Sequence, residues 1–158
     1  MSHKRTYLII GAGRGIGLAL TKHALESGHR VIATYQSEES KKNLFGMHSD
    51  DLHSYKINIL SDTSYDQIKE DPWIDELSHV IYSVGILEDD NTFAEKSLRD
   101  IDMDRLVHSF KINAGGFAIL AKFLKQTISK NEVVKISAIS AKVGSITDNG
   151  LGGWYGYR

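Results

Sequence analysis

Apolar residues arrive along this chain in two rhythms, and their alternation predicts the architecture. Tyr7 to Ile10 is an unbroken run closed by Gly11, the pattern of a short strand buried on both faces. The spacing then changes: Ile16, Leu20, Ala24 and Ser27 follow the helical period up to Gly28, so residues 17–27 read as a helix. Arg30 to Thr34 is a second strand, and Ser37 to Met47 a short helix with charges on its outer face. Between Leu52 and Ile59, Tyr55, Ile57 and Ile59 alternate with polar neighbours, which predicts a strand toward one edge of a sheet.

Ser64 to Glu70 reads as a helical segment ending near Pro72, and Trp73 to Leu77 as a turn or short helix. His79 to Val84 is the next strand, closed by Gly85. From Ser97 to Lys130 the pattern is helical: Leu106, Phe110, Asn113, Phe117, Leu120 and Leu124 recur at intervals of four and three, with one polar residue inside the stripe. Gly115 and Gly116 would each cost such a helix about 1 kcal/mol relative to Ala, which points to a close approach at that place. Val133 to Ser137 is the last strand. Strands alternating with helices imply an α/β protein with a mainly parallel, doubly wound sheet in the order 3-2-1-4-5.

A chain of 158 residues buries about 70% of its extended surface as one domain, here taken as residues 1–158. The end of the chain is unusual: Gly150, Gly152, Gly153 and Gly156 are interleaved with Leu151, Trp154, Tyr155 and Tyr157, and the aromatic rings of the last three ask for packing partners. With an apolar last strand at a sheet edge, this predicts that the sequence is part of a larger domain. A formal charge of −1 gives no reason to expect nucleic acid or an anionic membrane as partner. The absence of Cys excludes disulfides and thiolate chemistry and fits a reducing compartment, so a cytoplasmic location is expected. No apolar run is long enough to suggest a membrane span.

The chemistry begins at Gly11-Ala12-Gly13-Arg14-Gly15-Ile16-Gly17. Glycines between a strand and a helix permit a tight turn and a close helix approach, and the first amides of the helix then face an anion such as a pyrophosphate. A dinucleotide held there would place its adenosine ribose at the end of the second strand, where the chain offers Tyr35, Gln36 and Ser37 rather than an acid. Arg14 can reach a ribose phosphate, which favours NADP over NAD; a solvated surface charge is the plainer reading. Asn113 is either a buried amide satisfied within the fold or a site residue. Ser137, Ser140 and Ser145 follow the last strand, where ligands of parallel sheets collect, and Tyr157 offers a phenol to a developing alkoxide. The His residues lack metal-ligand spacing, no G-x-S-x-G elbow is present, and no Lys-Ser or Lys-Thr follows the glycines.

Taken together, these motifs resemble the short-chain dehydrogenase/reductase family over residues 6–158, and within it the small carbonyl-reductase-like branch that includes cell-signalling factor C. Gly11 to Gly17 matches the family's glycine motif, with Ile10 in place of the more usual Thr or Ser. Asn113 falls at the family's helix-distorting asparagine, and Tyr82-Ser83-Val84-Gly85 at its N-N-A-G motif, with only Gly85 retained. Asn58 occupies a position often held by an aspartate that contacts adenine. Gly153 to Arg158 is similar to the approach to Y-x-x-x-K, with Tyr157 as the tyrosine and the lysine falling beyond residue 158. Aligning the family's S-S-x-x-G onto Ser140-Ala141-Lys142-Val143-Gly144 puts Ala141 at the active serine, and Ser140 beside it is the expected catalytic hydroxyl. The resemblance implies a Rossmann-like fold whose last strands lie outside this sequence, hydride exchange between a nicotinamide cofactor and a carbonyl or alcohol, and homo-oligomers of the whole protein. A non-catalytic dinucleotide-binding or regulatory protein of the same fold is the alternative.

Overall fold

The computed structural model describes residues 4–129, 133–145, 147 and 149–158. At its centre lies β1 (Thr6–Ile10), flanked by β2 (Arg30–Tyr35) and β4 (Leu77–Tyr82). Outside these lie β3 (Leu52–Lys56) and β5 (Lys135–Ala138), giving the order β3-β2-β1-β4-β5 with every pairing parallel. This is the expected doubly wound order, with β3 at an edge. Register stacks Ile32, Leu8 and Val80 across three neighbouring strands, and all three are fully buried. Each such side chain stabilises the fold by about 1.5–3 kcal/mol.

Both faces of the sheet are covered over β1 and β2, whereas β5 is exposed along its length. Ile9, Val31 and Ala33 pack with Ala24 of α1 (Gly15–Glu26) and Leu44 of α2 (Glu38–Phe45). On the opposite face Leu8, Ile10 and Ile32 meet Ile68 of α3 (Asp66–Lys69) and Leu120 and Leu124 of α5 (Gly116–Thr127). β1 and β2 are buried on both sides, which is why they are written as continuous apolar runs.

The segment expected as one helix from Ser97 is divided. A 3-10 turn at Leu98–Asp100 is capped by Ser97, α4 spans Met103–Phe110 with Asp102 accepting from the Arg105 amide at 3.1 Å, and a π-helical turn covers Lys111–Gly115 before α5. The predicted end at Lys130 lies outside the described residues; α5 ends at Thr127. The π turn inserts a residue into the helical period and rotates the stripe. Phe110 is consequently 65% exposed, while Leu120 and Leu124 remain in the core. Smaller differences lie at element ends. The helix expected from Ser64 starts as a 3-10 turn at Asp62–Tyr65, β4 stops at Tyr82 before Ser83-Val84-Gly85, and β5 begins at Lys135 rather than Val133.

Candidate functional site

A parallel sheet places the carboxyl ends of all its strands along one edge, and every candidate residue lies in a segment that follows one of those ends. Gly11 turns the chain out of β1 with φ +82, and a Cβ there would stand 2.8 Å from Val84 Cγ2 and 3.2 Å from the Ser83 carbonyl oxygen. A Cβ on Gly17 would fall on the Gly11 carbonyl oxygen, so α1 packs against its own loop as closely as backbones allow. Thr34 holds the turn in place. Its hydroxyl accepts from the Gly11 amide at 3.0 Å, and its carbonyl accepts from the Ala12 amide at 2.9 Å.

The opening of α1 fits an anion. Arg14, its N-cap, supplies no side-chain capping bond, and the first turn contains no acidic residue. Arg14, Gly15 and Ile16 are exposed, and nothing stands within 4 Å of where a Gly15 Cβ would be. First-turn amides with no internal acceptor and no competing carboxylate suit the linking phosphates of a dinucleotide. Gly13 packs against α2. It is buried beneath α2, where a Cβ would collide with Ser40, and its carbonyl accepts from Asn43 Nδ2 at 3.0 Å. Gly13 therefore makes room for a helix.

Gln36 is exposed directly after β2, beside Ser37, which caps α2 by accepting from the Ser40 amide at 3.2 Å. Glu38 pairs with Lys56 at 3.6 Å. Asn58 is exposed after β3, and its Oδ1 accepts from the Leu60 amide at 3.0 Å. Gly85 is exposed past β4, and a Cβ there would lie 3.4 Å from Asn113 Oδ1.

Asn113 sits inside the π turn, and its amide clamps the segment after β4. Oδ1 accepts from the Ile86 amide at 2.8 Å, while Nδ2 donates to the Ile86 carbonyl at 2.9 Å and to Ser109 Oγ at 3.1 Å. Both Nδ2 hydrogens are thus taken by the fold, and Oδ1 keeps one lone pair beyond its bond to Ile86. Tyr82, at the family's first asparagine position, is buried in the core and donates to the Ile112 carbonyl at 3.1 Å. Burial pushes its phenol up to about 12. Gly116 explains the glycine pair: a Cβ there would land on the Tyr82 hydroxyl and 2.8 Å from Ile59 Cδ1.

Ser140 is exposed in the loop after β5, and Tyr157 is half-buried in the terminal turn, its ring edge-on to Trp154. Arg158 joins the two segments. Its Nη1 donates to the Val143 carbonyl at 2.8 Å and its Nε to the Gly153 carbonyl at 2.9 Å. The same turn is held from the other side by Glu95, whose carbonyl accepts from the Trp154 amide at 2.6 Å.

Several of these residues were missed in the sequence. Thr34 carried a signal, a hydroxyl at the end of a buried strand run; Asn43, Glu95 and Arg158 carried none, because their partners are far away along the chain. A cavity of about 400 Å³ lies elsewhere, lined by Leu44, Phe45, Leu52 and Tyr55 near the start of β3, away from the strand ends that gather the candidate residues. Among the described residues no group of three or more His, Cys, Asp or Glu could hold a metal ion, and no helix is long and apolar enough to cross a membrane.

Comparison with known proteins bears on this geometry. A family model described as enoyl-(acyl carrier protein) reductase, of the short-chain alcohol dehydrogenase type, matches residues 11–156. The 3-oxoacyl-[acyl-carrier-protein] reductase MabA of Mycobacterium tuberculosis is 39% identical over 46 residues, which is 29% of this chain and 19% of that protein. The aligned stretch is thus under a fifth of that relative's length. Among solved structures, the candidate carbonyl reductase Sniffer of Caenorhabditis elegans superposes with a TM-score of 0.83 at 21% identity, covering 99% of this chain and 73% of that one. A carbonyl reductase from Pseudomonas aeruginosa in complex with NADP superposes with a TM-score of 0.78 at 22% identity, covering 98% of this chain and 66% of that one. With a family match running from the glycine turn to the residue before Tyr157, on a parallel sheet of the matching order, the chain belongs to the short-chain dehydrogenase/reductase family.

Proposed function

We propose that this chain is the nucleotide-binding part of an NADP-preferring oxidoreductase of the carbonyl-reductase-like branch that includes cell-signalling factor C. The observation that carries the reading is the uncapped, acid-free start of α1 with Arg14 exposed beside it. When bound there, a nicotinamide cofactor supplies the hydride exchanged with a carbonyl or alcohol carbon. Gly11, Gly15 and Gly17 shape the phosphate turn, and Gly13 seats α2 against it. Arg14, Ile16, Gln36, Asn58 and Gly85 border the rest of the cofactor, with Arg14 selecting for a ribose phosphate. The Tyr157 phenol gives or takes the substrate proton, Ser140 holds the substrate oxygen, and Asn113 keeps the helix in its π turn next to them. The NADP in the Pseudomonas aeruginosa neighbour supports the same class of ligand.

The outer face of α4 supports the expected pairing of copies in the whole protein. Met103 and Val107, one turn apart, and Phe110 three residues further on are 70%, 40% and 65% exposed. Cytoplasmic residence is part of the same proposal.

Calorimetry with NADPH and NADH, together with turnover of an aldehyde and ketone panel, tests the reading. Arg14→Ala weakens NADPH binding by about tenfold through loss of a charge-assisted bond and changes NADH by less than about twofold. Equal losses for both cofactors refute the selectivity assigned to Arg14. The 158 residues alone turn over weakly or not at all, because the expected lysine falls beyond Arg158; binding without turnover by a chain continued through that position favours the second reading, a regulatory dinucleotide-binding protein. That reading is motivated by the replaced asparagine motif, whose Tyr82 now belongs to the core.

A further inference from the structure

We propose that Glu95 is the positioning residue that fixes the turn carrying Tyr157, an inference that rests on Tyr157 as the acid/base. Glu95 is 3% exposed, in the segment that precedes α4, and is separated from Gly156 by 61 positions along the chain. It grips the turn twice. The backbone carbonyl accepts from the Trp154 amide at 2.6 Å, and the carboxylate straddles the Gly156 amide, with both oxygens at 3.3 Å. Both contacts require the glycines around them: a Cβ on Gly153 would stand 2.9 Å from the Glu95 carbonyl oxygen, and one on Gly156 3.0 Å from Glu95 Oε1.

The turn held in this way is strained. Trp154 has φ +52, a left-handed conformation that a bulky side chain adopts only where its surroundings enforce it. The Glu95 bond to the Trp154 amide lies at the strained residue itself, and the carboxylate bond lies one position before the phenol. Gly156 also rests on α4, where a Cβ would be 3.5 Å from Ser109 Cβ, and Ser109 Oγ accepts from Asn113. Glu95 thus sets the distance between Tyr157 and the π turn. A phenol that passes a proton must stay within hydrogen-bond reach of the substrate oxygen, so release of this grip acts on turnover rather than on cofactor binding.

The test compares Glu95→Met and Glu95→Gln in the full-length chain, with Tyr157→Phe as reference, by NADPH-dependent turnover, NADPH affinity and amide hydrogen exchange at Gly156. Glu95→Met lowers kcat by about 100-fold, the scale of a 1 Å misplacement, and leaves the NADPH Kd within about twofold. Glu95→Gln, which keeps an acceptor oxygen, stays within about threefold of the parent kcat. Exchange of the Gly156 amide rises about tenfold or more in Glu95→Met, while the Leu8 and Val80 amides in the core keep their protection. Parent-like kcat and exchange in Glu95→Met, or equal impairment by Met and Gln, overturns the proposal. If the parent and Tyr157→Phe do not differ in turnover, the role of Tyr157 fails on its own account. Exchange at Gly156 then decides the grip of Glu95: faster exchange in Glu95→Met upholds it, and unchanged exchange rejects it.

Discussion

Replacing Gly116 by Ala sets two opposed effects against each other at one atom. In an exposed helix the change would stabilise by about 1 kcal/mol, because Ala is the better helix former. Here the new methyl falls on the hydroxyl of Tyr82, a side chain 2% exposed, and comes within 2.8 Å of Ile59 Cδ1. Overpacking of this kind costs about 1–3 kcal/mol. If Tyr82 moves aside, its hydroxyl gives up the 3.1 Å bond to the Ile112 carbonyl and stays buried, which costs about 1–3 kcal/mol more. Steric and polar penalties exceed the helical gain, so Gly116→Ala destabilises by about 3 kcal/mol. At this chain length that lowers Tm by about 6–12 °C. Urea unfolding followed by far-UV circular dichroism measures it. Tyr82→Phe removes the clashing oxygen, so the double variant recovers more than about 1 kcal/mol of what the two single changes predict by addition. Gly115→Ala is the control, since its methyl meets nothing closer than the Phe110 carbonyl oxygen at 3.7 Å. A stabilised Gly116→Ala, or an additive cycle with Tyr82→Phe, refutes the close approach of α5 to β4.

Asn113→Ala removes three hydrogen bonds between the π turn, Ile86 and Ser109 and costs about 2 kcal/mol, whereas Ser109→Ala removes one of them and costs about 1 kcal/mol. Equal unfolding midpoints for these two variants contradict the clamp. Alkaline stability follows from Tyr82, whose folded phenol is pushed up to about 12 by burial, above its unfolded value of 10.0. The folded state holds this proton more tightly, so its contribution of about 2 kcal/mol is complete below pH 10 and is lost as pH rises toward 12. Burial pushes the Tyr65 phenol in the same direction. A urea midpoint that stays flat through that interval contradicts both assignments.

The strand order, the glycine turn and the edge position of β3 were legible because each is written in consecutive residues. An apolar run followed by glycine and a helical period specifies a strand, a turn and a helix locally, and the handedness of crossovers allows few ways to assemble the repeats. The interval count through Phe110 and Asn113 assumed one unbroken helical period, and the π turn defeated it. Gly115-Gly116 signalled a close approach without naming the partner.

Sequence alone settled which segments form the sheet and where the glycine turn between β1 and α1 lies, because periodicity and glycine conformational freedom are properties of neighbouring residues. Tertiary structure decided that Gly13 seats a helix, that Tyr82 fills the space left by Gly116, and that Glu95 grips the turn before Tyr157. Each of these contacts joins residues tens of positions apart, and a contact at that separation leaves no pattern in the chain until the sheet has brought its ends together.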